Sequence, residues 1–142
     1  MKYIKLFESH EYEDNIDDLS TFIIKFISKK IKIKLGIYKG QTKYSIYYNQ
    51  SAIYRKYIID INKIDYFHGD SNMFFEFKLS SGIIDKSIYI PEELLDIVLF
   101  ISEIMEKYSD FQQLIKLSDI KNIISDLTEN YDSYIMSKKY NL

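Results

Sequence analysis

Residues 29–57 read KKIKIKLGIYKGQTKYSIYYNQSAIYRKY, in which apolar and polar side chains alternate regularly. Isoleucine or leucine occupies every second position over residues 31–37, and residues 44–48 repeat the pattern. A period of two places successive side chains on opposite faces of a β-strand, so both runs are predicted strands. Lys39 and Gly40 supply a turn between them, which predicts a β-hairpin.

The same region carries charge of one sign. Between Leu19 and Ile59 the sequence contains nine basic residues and no Asp or Glu. Residues 1–18 and 60–142 are both net acidic, so the formal net charge of −2 at pH 7 conceals a strong segregation. Segregated charge favours a protein partner of complementary charge, or self-association into a homo-oligomer.

A basic and aromatic sheet face is predicted from this alternation. If the isoleucines point to the core, the period of two sends the intervening side chains to the opposite face. The candidate binding residues on that face are Lys32, Lys34, Tyr38, Lys43, Tyr47, Tyr54 and Lys56. Lysines that hold phosphates and tyrosines that stack on bases are combined in single-strand nucleic-acid binders. Lys and Tyr are also ordinary residues on a solvated sheet face, so that interpretation stays open.

The rest of the chain adds helices and further strands. Apolar residues at three- and four-residue steps predict an amphipathic helix over residues 15–29, whereas residues 1–8 are interpreted as a short strand or a tail. A third strand is predicted over residues 53–61. Residues 64–68 either continue it past a bulge or form a fourth strand.

Two more strands are predicted before the chain becomes helical. Residues 73–79 alternate cleanly, and a last strand would place Ile84, Ile88 and Ile90 on its inner face. A turn at residues 69–72 precedes them. Connections this short make neighbouring strands antiparallel, so the centre of the chain is a predicted meander of five or six strands.

The C-terminal part is predicted to be helical. Pro91 suits the first position of a helix that runs to about Tyr108. Ser109 and Gln112 fit a capping box for a short helix, and residues 120–135 show the period of a final amphipathic helix. The predicted fold class is therefore α+β, an antiparallel meander preceded by one helix and followed by two or three helices packed on one face.

Length and composition exclude several classes of protein. With 142 residues and 46% hydrophobic content, the chain is predicted to form a single domain over residues 1–142. It has no cysteine, so disulfide frameworks and cysteine metal sites are excluded. The first residues do not resemble a signal peptide, and the longest apolar run, residues 97–101, is too short to span a bilayer. We therefore expect no membrane partner and a cytoplasmic location in the producing or host cell, with the virion as the alternative.

No catalytic or cofactor motif is found. His10 stands among acidic residues, but its spacing to them matches neither an EF-hand loop nor HExxH, and acidic residues at a helix start commonly complement the dipole. The four glycines are scattered and form no phosphate-binding loop. His68 lies in a turn sequence. We therefore expect no enzyme activity, no cofactor and no metal.

The opening MKYIKLFES, residues 1–9, occurs in a composition rich in residues with AT-rich codons, with 26 Ile and 14 Tyr. This combination resembles small uncharacterised proteins of AT-rich bacteriophages. The resemblance implies a phage origin and a virion or host-directed role, and it brings no catalytic residues with it. The predicted function is a non-enzymatic protein-interaction or structural protein, and the alternative is a nucleic-acid-binding module using the Lys/Tyr sheet face.

Overall fold

The computed structural model shows an α+β fold built around one antiparallel sheet. It describes the backbone of residues 2–51, 53–64 and 74–140, and the side chains of these residues from position 16 onward. The elements in chain order are α1 (Lys2–Lys30), β1 (Leu35–Lys39), β2 (Lys43–Asn49), β3 (Arg55–Lys63), β4 (Phe74–Leu79), α2 (Ser81–Ile84), α3 (Glu92–Tyr108), β5 (Ile115–Lys116), a 3-10 turn (Leu117–Asp119) and α4 (Ile120–Lys139). This order confirms the predicted fold class.

The sheet runs in the order β1-β2-β3-β4-β5, and each neighbouring pair is antiparallel. Ile46 of β2 lies opposite Ile37 of β1 and Ile59 of β3, so these side chains share one face. Ile61 and Phe77 continue the row across β3 and β4. This apolar side, which packs against α1 and α3, is called the inner face, and the opposite side is called the outer face.

The first helix is longer than its hydrophobic pattern indicates. Ile23 and Ile27, one turn apart, are fully buried against the sheet, as the three- and four-residue period predicts. The helix begins at Lys2, well before the expected residue 15. The short strand or tail expected for residues 1–8 was therefore wrong. Those residues lack the apolar period that marks a packed helix, and only the backbone of this part is described.

The fourth strand agrees with its alternation. Phe75 is fully buried, and Phe77 and Leu79 pack against the core from the same face. Residues 65–73 lie outside the described part of the chain. The expected strand or bulge through residue 68, the turn at residues 69–72 and the place of Met73 in the strand therefore stay predictions.

The strand expected with Ile84, Ile88 and Ile90 on its inner face does not form. The carbonyl of Ser80 instead accepts hydrogen bonds from the N–H groups of the third and fourth residues after it, which starts the single turn of α2. Lys86 then adopts a φ of 60°, a left-handed conformation that no strand tolerates. As a result Ile84 is 69% exposed, whereas Ile90 is buried.

The fifth strand comes from a different part of the sequence. β5 pairs with only two residues of β4, placing Lys116 opposite Phe74 and Ile115 opposite Phe75. It follows α3, so the sheet is completed across a helix and not by a hairpin. Two residues are too few to show any period, and the sequence therefore contains no signal for this strand.

α3 is the central helix of the inner layer. Pro91 precedes it, and Glu92 and Glu93 in its first turn face the positive end of the helix dipole. Seven of its 17 residues are buried: Leu94, Ile97, Val98, Phe100, Ile101, Ile104 and Met105. Phe100 is 2% exposed, and Ile101 is fully buried.

The short helix expected after Ser109 is absent. The Ser109 hydroxyl donates to the Glu106 carbonyl at 2.9 Å, so this serine closes α3 and does not cap a new helix. Asp110 Oδ1 accepts hydrogen bonds from the backbone N–H groups of Gln112 and Leu114, at 2.8 and 3.0 Å. Asp side chains commonly form such turns, and this one leads directly into β5.

An aromatic cluster joins α1, α3 and α4. The ring of Phe100 lies 6.4 Å from that of Phe26, 5.5 Å from that of Tyr131 and 4.9 Å from that of Tyr134. Phe26 and Tyr131 meet edge to face at 5.4 Å. The Lys30 ammonium lies 4.8 Å from the centre of the Tyr131 ring, a favourable cation–π distance.

Two polar contacts hold α4 against α3. The Tyr108 hydroxyl donates to Asp126 Oδ2, and this hydrogen bond raises the pKa of Tyr108 to about 12. Lys138 Nζ donates to Asp96 Oδ1 at 3.2 Å, and this contact raises the pKa of Lys138. The first contact holds the N-terminal half of α4 and the second holds its C-terminal end, and Ile120, Ile123 and Leu127 of this helix are buried in the core.

Within the described residues, no helix combines the length and the apolar character needed to cross a bilayer.

Candidate interaction surface on the outer face

The outer face of β1, β2 and β3 carries a group of aromatic and basic side chains. Tyr38 of β1 lies opposite Ser45, on the side away from the helices, and is 54% exposed. Tyr47 of β2 lies opposite Tyr57 of β3, and Arg55 precedes Tyr57 by two residues in β3. Tyr38, Tyr47, Arg55 and Tyr57 are called the outer-face cluster.

A β-bulge at Ile58 gives this cluster its composition. Ile46 pairs with Ile59, but the next residue, Tyr47, pairs with Tyr57, so Ile58 is an extra residue in β3. A bulge reverses the face on which the preceding residues of a strand lie. Without it, Tyr57 would point towards the helices. With it, Tyr57 reaches the outer face and Ile58 is fully buried.

Tyr47 contacts two other members of the cluster. Its ring meets that of Tyr57 at 5.6 Å and an interplanar angle of 63°, an edge-to-face contact. The Arg55 guanidinium lies 4.7 Å from the centre of the Tyr47 ring. A cation at this distance is attracted to the negative face of the ring. The three side chains therefore support one another on an exposed sheet face.

Gly36 provides the space that the Tyr47 ring occupies. A Cβ atom at Gly36, which lies opposite Tyr47 in the ladder, would come within 2.4 Å of the Tyr47 ring and hydroxyl. No carbon atom can approach so closely, so the tyrosine lies directly over the glycine backbone. Glycine on one strand and an aromatic ring on its neighbour form a complementary pair.

We expect Gly36→Ala to displace the Tyr47 ring and to lower the free energy of unfolding by about 1–3 kcal/mol, the usual cost of overpacking. Chemical denaturation measures this difference. The matched control is the same substitution in a Tyr47→Ala background, where the space is already free and the cost should largely disappear. An equal cost in both backgrounds would show that the ring does not occupy the glycine site.

Polar contacts fill the remainder of the outer face. The Ser45 hydroxyl donates to Asp60 Oδ1 at 2.7 Å, and Ser45 is only 3% exposed. Asn62 Nδ2 donates to Glu76 Oε1 at 2.9 Å, and Lys78 Nζ lies 3.6 Å from the same oxygen. Both acidic groups on β3 and β4 therefore have partners, and neither is directed at the outer-face cluster.

Four of the predicted binding residues lie on the outer side. Tyr38, Lys43 and Tyr47 occupy outer-face positions of β1 and β2. The Lys34 carbonyl accepts from the Asn49 N–H at 3.0 Å, which extends the ladder and gives Lys34 the same orientation as Tyr38. Lys34 and Lys43 are both exposed.

The other three predicted residues lie elsewhere. Lys32 is exposed in the segment between α1 and β1, and Tyr54 is exposed in the connection that precedes β3. Lys56 pairs with Tyr48 on the inner side, and its Nζ donates to the Tyr89 carbonyl at 2.5 Å. Its assignment to the outer face was wrong, because the bulge shifts the alternation by one residue.

The basic segment is therefore less concentrated than its sequence indicates. Lys39 Nζ lies 3.4 Å from Asp17 Oδ1 of α1, Lys30 covers the ring of Tyr131, and Lys56 is bound to the loop before α3. The fold distributes the nine basic residues around the sheet. Only some of them border the outer-face cluster.

The acidic group around His10 is described only in part. Side chains of residues 10–15 lie outside the described part of the chain. Among the residues with described side chains, no three His, Asp or Glu groups are close enough to hold a metal ion. Asp17 Oδ1 accepts no hydrogen bond from the residues that the structure describes, and its negative charge faces Lys39.

Arg55 and Tyr57 were missed by the reasoning from sequence. A signal for them exists in the two consecutive isoleucines, Ile58 and Ile59, because strict alternation would send one of them to solvent. A bulge at this point would have been the alternative that keeps both buried.

Comparison of the chain with protein-family models, with curated proteins and with solved structures finds no match.

Proposed function

We propose that this protein is a non-enzymatic interaction protein that binds a protein partner through the outer-face cluster. The observation that carries the proposal is that the exposed Tyr38 and Tyr57 share the outer face with the half-buried Tyr47, on whose ring Arg55 stacks. Tyrosine and arginine are the residue types that dominate binding energy at protein interfaces. The phage resemblance makes a virion or host-directed role the proposed biological setting.

The cluster is also well prepared for binding. Association costs free energy when flexible side chains become ordered at an interface. Tyr47 is already held over Gly36 by Tyr57 and Arg55, so less of its freedom remains to be lost. Tyr57, which is 39% exposed, and Tyr38 supply the apolar area that a partner would cover.

The charge around the cluster indicates the kind of partner. Lys34 and Lys43 are exposed on the same side, whereas Asp60 is engaged by Ser45. An acidic protein surface with apolar contacts would complement this arrangement. The acidic remainder of the chain provides such charge, so a second copy of the protein is one form of this partner.

We expect Tyr38→p-benzoylphenylalanine to form a photo-crosslinked protein adduct in cells that express the protein. Arg55→Ala in the same chain should reduce the adduct at least tenfold, since truncation of a central interface arginine costs about 2 kcal/mol or more. Gel mobility and mass spectrometry identify the adduct, and sedimentation velocity shows whether it is a second copy. The matched control is Tyr140→p-benzoylphenylalanine, because Tyr140 is exposed to 56%, similar to Tyr38.

A nucleic-acid partner is the second candidate, because the exposed rings of Tyr38 and Tyr57 share the outer face with Lys43 and Arg55. An adduct with nucleic acid, or none at Tyr38, would contradict a protein partner. Fluorescence anisotropy with oligothymidine distinguishes a nucleic-acid partner from a protein partner. We expect weak or no binding at physiological salt, because the acidic remainder of the chain repels polyanions. Tight binding with a salt slope of about −0.7 per phosphate neutralised, reduced by about 1–3 kcal/mol in Tyr38→Ala, would establish the second candidate.

A further inference from the structure

One edge of the sheet is only partly closed. β4 extends from Phe74 to Leu79, but β5 pairs with Phe74 and Phe75 alone. No strand among the described residues pairs with the same edge of residues 76–79. The chain before β5 turns away instead, since the backbone of Asp110 bonds to that of Leu114 in a closed turn.

The hydrogen-bonding pattern shows which backbone groups face this open edge. The Ser80 N–H donates to the Ile58 carbonyl of β3 at 3.0 Å. In an antiparallel ladder the direction of these groups alternates along the strand, so every second residue before Ser80 also faces β3. The N–H and C=O groups of Phe77 and Leu79 therefore point outward, where an added strand would bond to them.

The open edge lies beside two hollows that run along α3. The lower hollow, of about 780 Å³, is lined mainly by apolar side chains, including Leu79, Ile84, Leu95 and Leu99. The upper hollow, of about 570 Å³, has Phe77 on one side, but most of its lining is polar and includes Glu106 and Asp110. Each outward-bonding residue of β4 thus has a hollow beside its own side chain. Residues 77 and 79 are two apart, the repeat at which strand side chains return to one face.

Lys78 lies between these two residues and points to the outer face. Its side chain is 54% exposed, and its only ion pair in the described structure is the 3.6 Å contact with Glu76. A residue of an added strand directly opposite Lys78 would also point to the outer face. Opposite charges at such cross-strand positions are favourable.

We propose that β4 and α3 form a second binding site, which takes an extended segment of a partner protein as an additional strand beside residues 76–79. The segment has two apolar side chains, separated by one acidic residue. One apolar side chain enters the lower hollow, opposite Leu79, and the other packs against the ring of Phe77 at the edge of the upper hollow. The acidic residue faces Lys78. Added strands gain affinity from main-chain hydrogen bonds and specificity from alternate side chains.

A second copy of β4 fits this edge poorly. In the two-fold register that pairs the most residues, Lys78 would lie directly opposite the same lysine of the other copy, and like charges at such positions are destabilising. A register shifted towards Phe75 would require the second copy to pair with Phe75, which is already paired with β5. The site therefore matches a segment of a different sequence.

The test uses a blocked, fluorescein-labelled peptide with the centre Thr-Val-Glu-Val-Thr and measures anisotropy with the full chain. We expect saturable binding, and no binding of the same peptide with both valine amides N-methylated, because its strand donors are lost. Ile84→Asp should weaken binding at least tenfold, since it places a carboxylate in the lower hollow. The matched control Ile53→Asp changes a residue that is 85% exposed in the β2–β3 connection, and it should bind the peptide normally.

A charge exchange tests the register. Lys78→Glu should lower the affinity for the Val-Glu-Val peptide and raise the affinity for a Val-Lys-Val peptide. Each change should be up to about fivefold, which is the effect of one cross-strand ion pair. Absence of saturable binding by the wild-type chain overturns the proposal. Equal binding of the N-methylated peptide does so as well, since it shows apolar capture without strand pairing. Tyr38→Ala and Arg55→Ala should not change peptide binding, so failure here is distinct from failure of the outer-face cluster.

Discussion

Replacing Phe100 with alanine is expected to lower the free energy of unfolding by about 3–5 kcal/mol, the usual cost of removing a buried phenylalanine. The ring contributes to the contact between all three long helices, through Phe26 of α1 and through Tyr131 and Tyr134 of α4. Its loss leaves a cavity that the rigid aromatic neighbours cannot fill. Chemical denaturation followed by circular dichroism measures the change.

The control for this prediction is Phe111→Ala, the same substitution at a side chain that is 92% exposed. We expect it to change stability by less than about 0.5 kcal/mol, as exposed substitutions usually do. A denaturation midpoint for Phe100→Ala equal to that of the wild type would contradict the central position of α3.

Deletion of residues 118–142 is expected to make the protein aggregate. This truncation removes α4, whose Ile120, Ile123 and Leu127 are buried in the core. The face of α3 that carries Phe100 would then be open to water, and large exposed apolar patches promote association. Light scattering and size-exclusion chromatography detect the aggregate.

A point substitution distinguishes loss of packing from loss of chain length. Ile123→Asp places a charge at the fully buried centre of the same contact, and it should also destabilise the protein. The control Asn122→Asp changes the neighbouring exposed position by a comparable charge and should have little effect. A truncated protein that stays monomeric and melts cooperatively would show that α4 is not needed to cover α3.

The parts of the fold that were predictable are those with a long, regular period. The hairpin of β1 and β2 and the helices α3 and α4 each bury one face repeatedly, so their periods of two or 3.6 residues are visible in the sequence. The strand predicted within residues 81–90 was wrong. The isoleucines of this segment fit a strand, but a turn at Ser80 and the left-handed conformation of Lys86 decide its structure locally. Isoleucine favours strands, but these local backbone conformations outweigh that preference.

The candidate surface was predictable only where the alternation is unbroken. Tyr38, Lys43 and Tyr47 precede the bulge, and their face was inferred correctly. The face of Lys56 was inferred wrongly, because the extra residue Ile58 shifts the alternation of β3 by one residue relative to β2. The open edge of β4 could not be inferred at all, since it depends on how short β5 is and not on any residue within β4.

The order of the elements along the chain has a consequence for synthesis on the ribosome. Four of the five described strands and α1 are complete once Leu79 has been made, but α3 and α4 lie within the 60 residues from Ser80 to Lys139. At about 5–20 residues per second, translation of this part lasts about 3–12 s. For that time α1 alone is available to cover the isoleucines of the inner face. The nascent chain is therefore a natural client for ribosome-associated chaperones during these seconds.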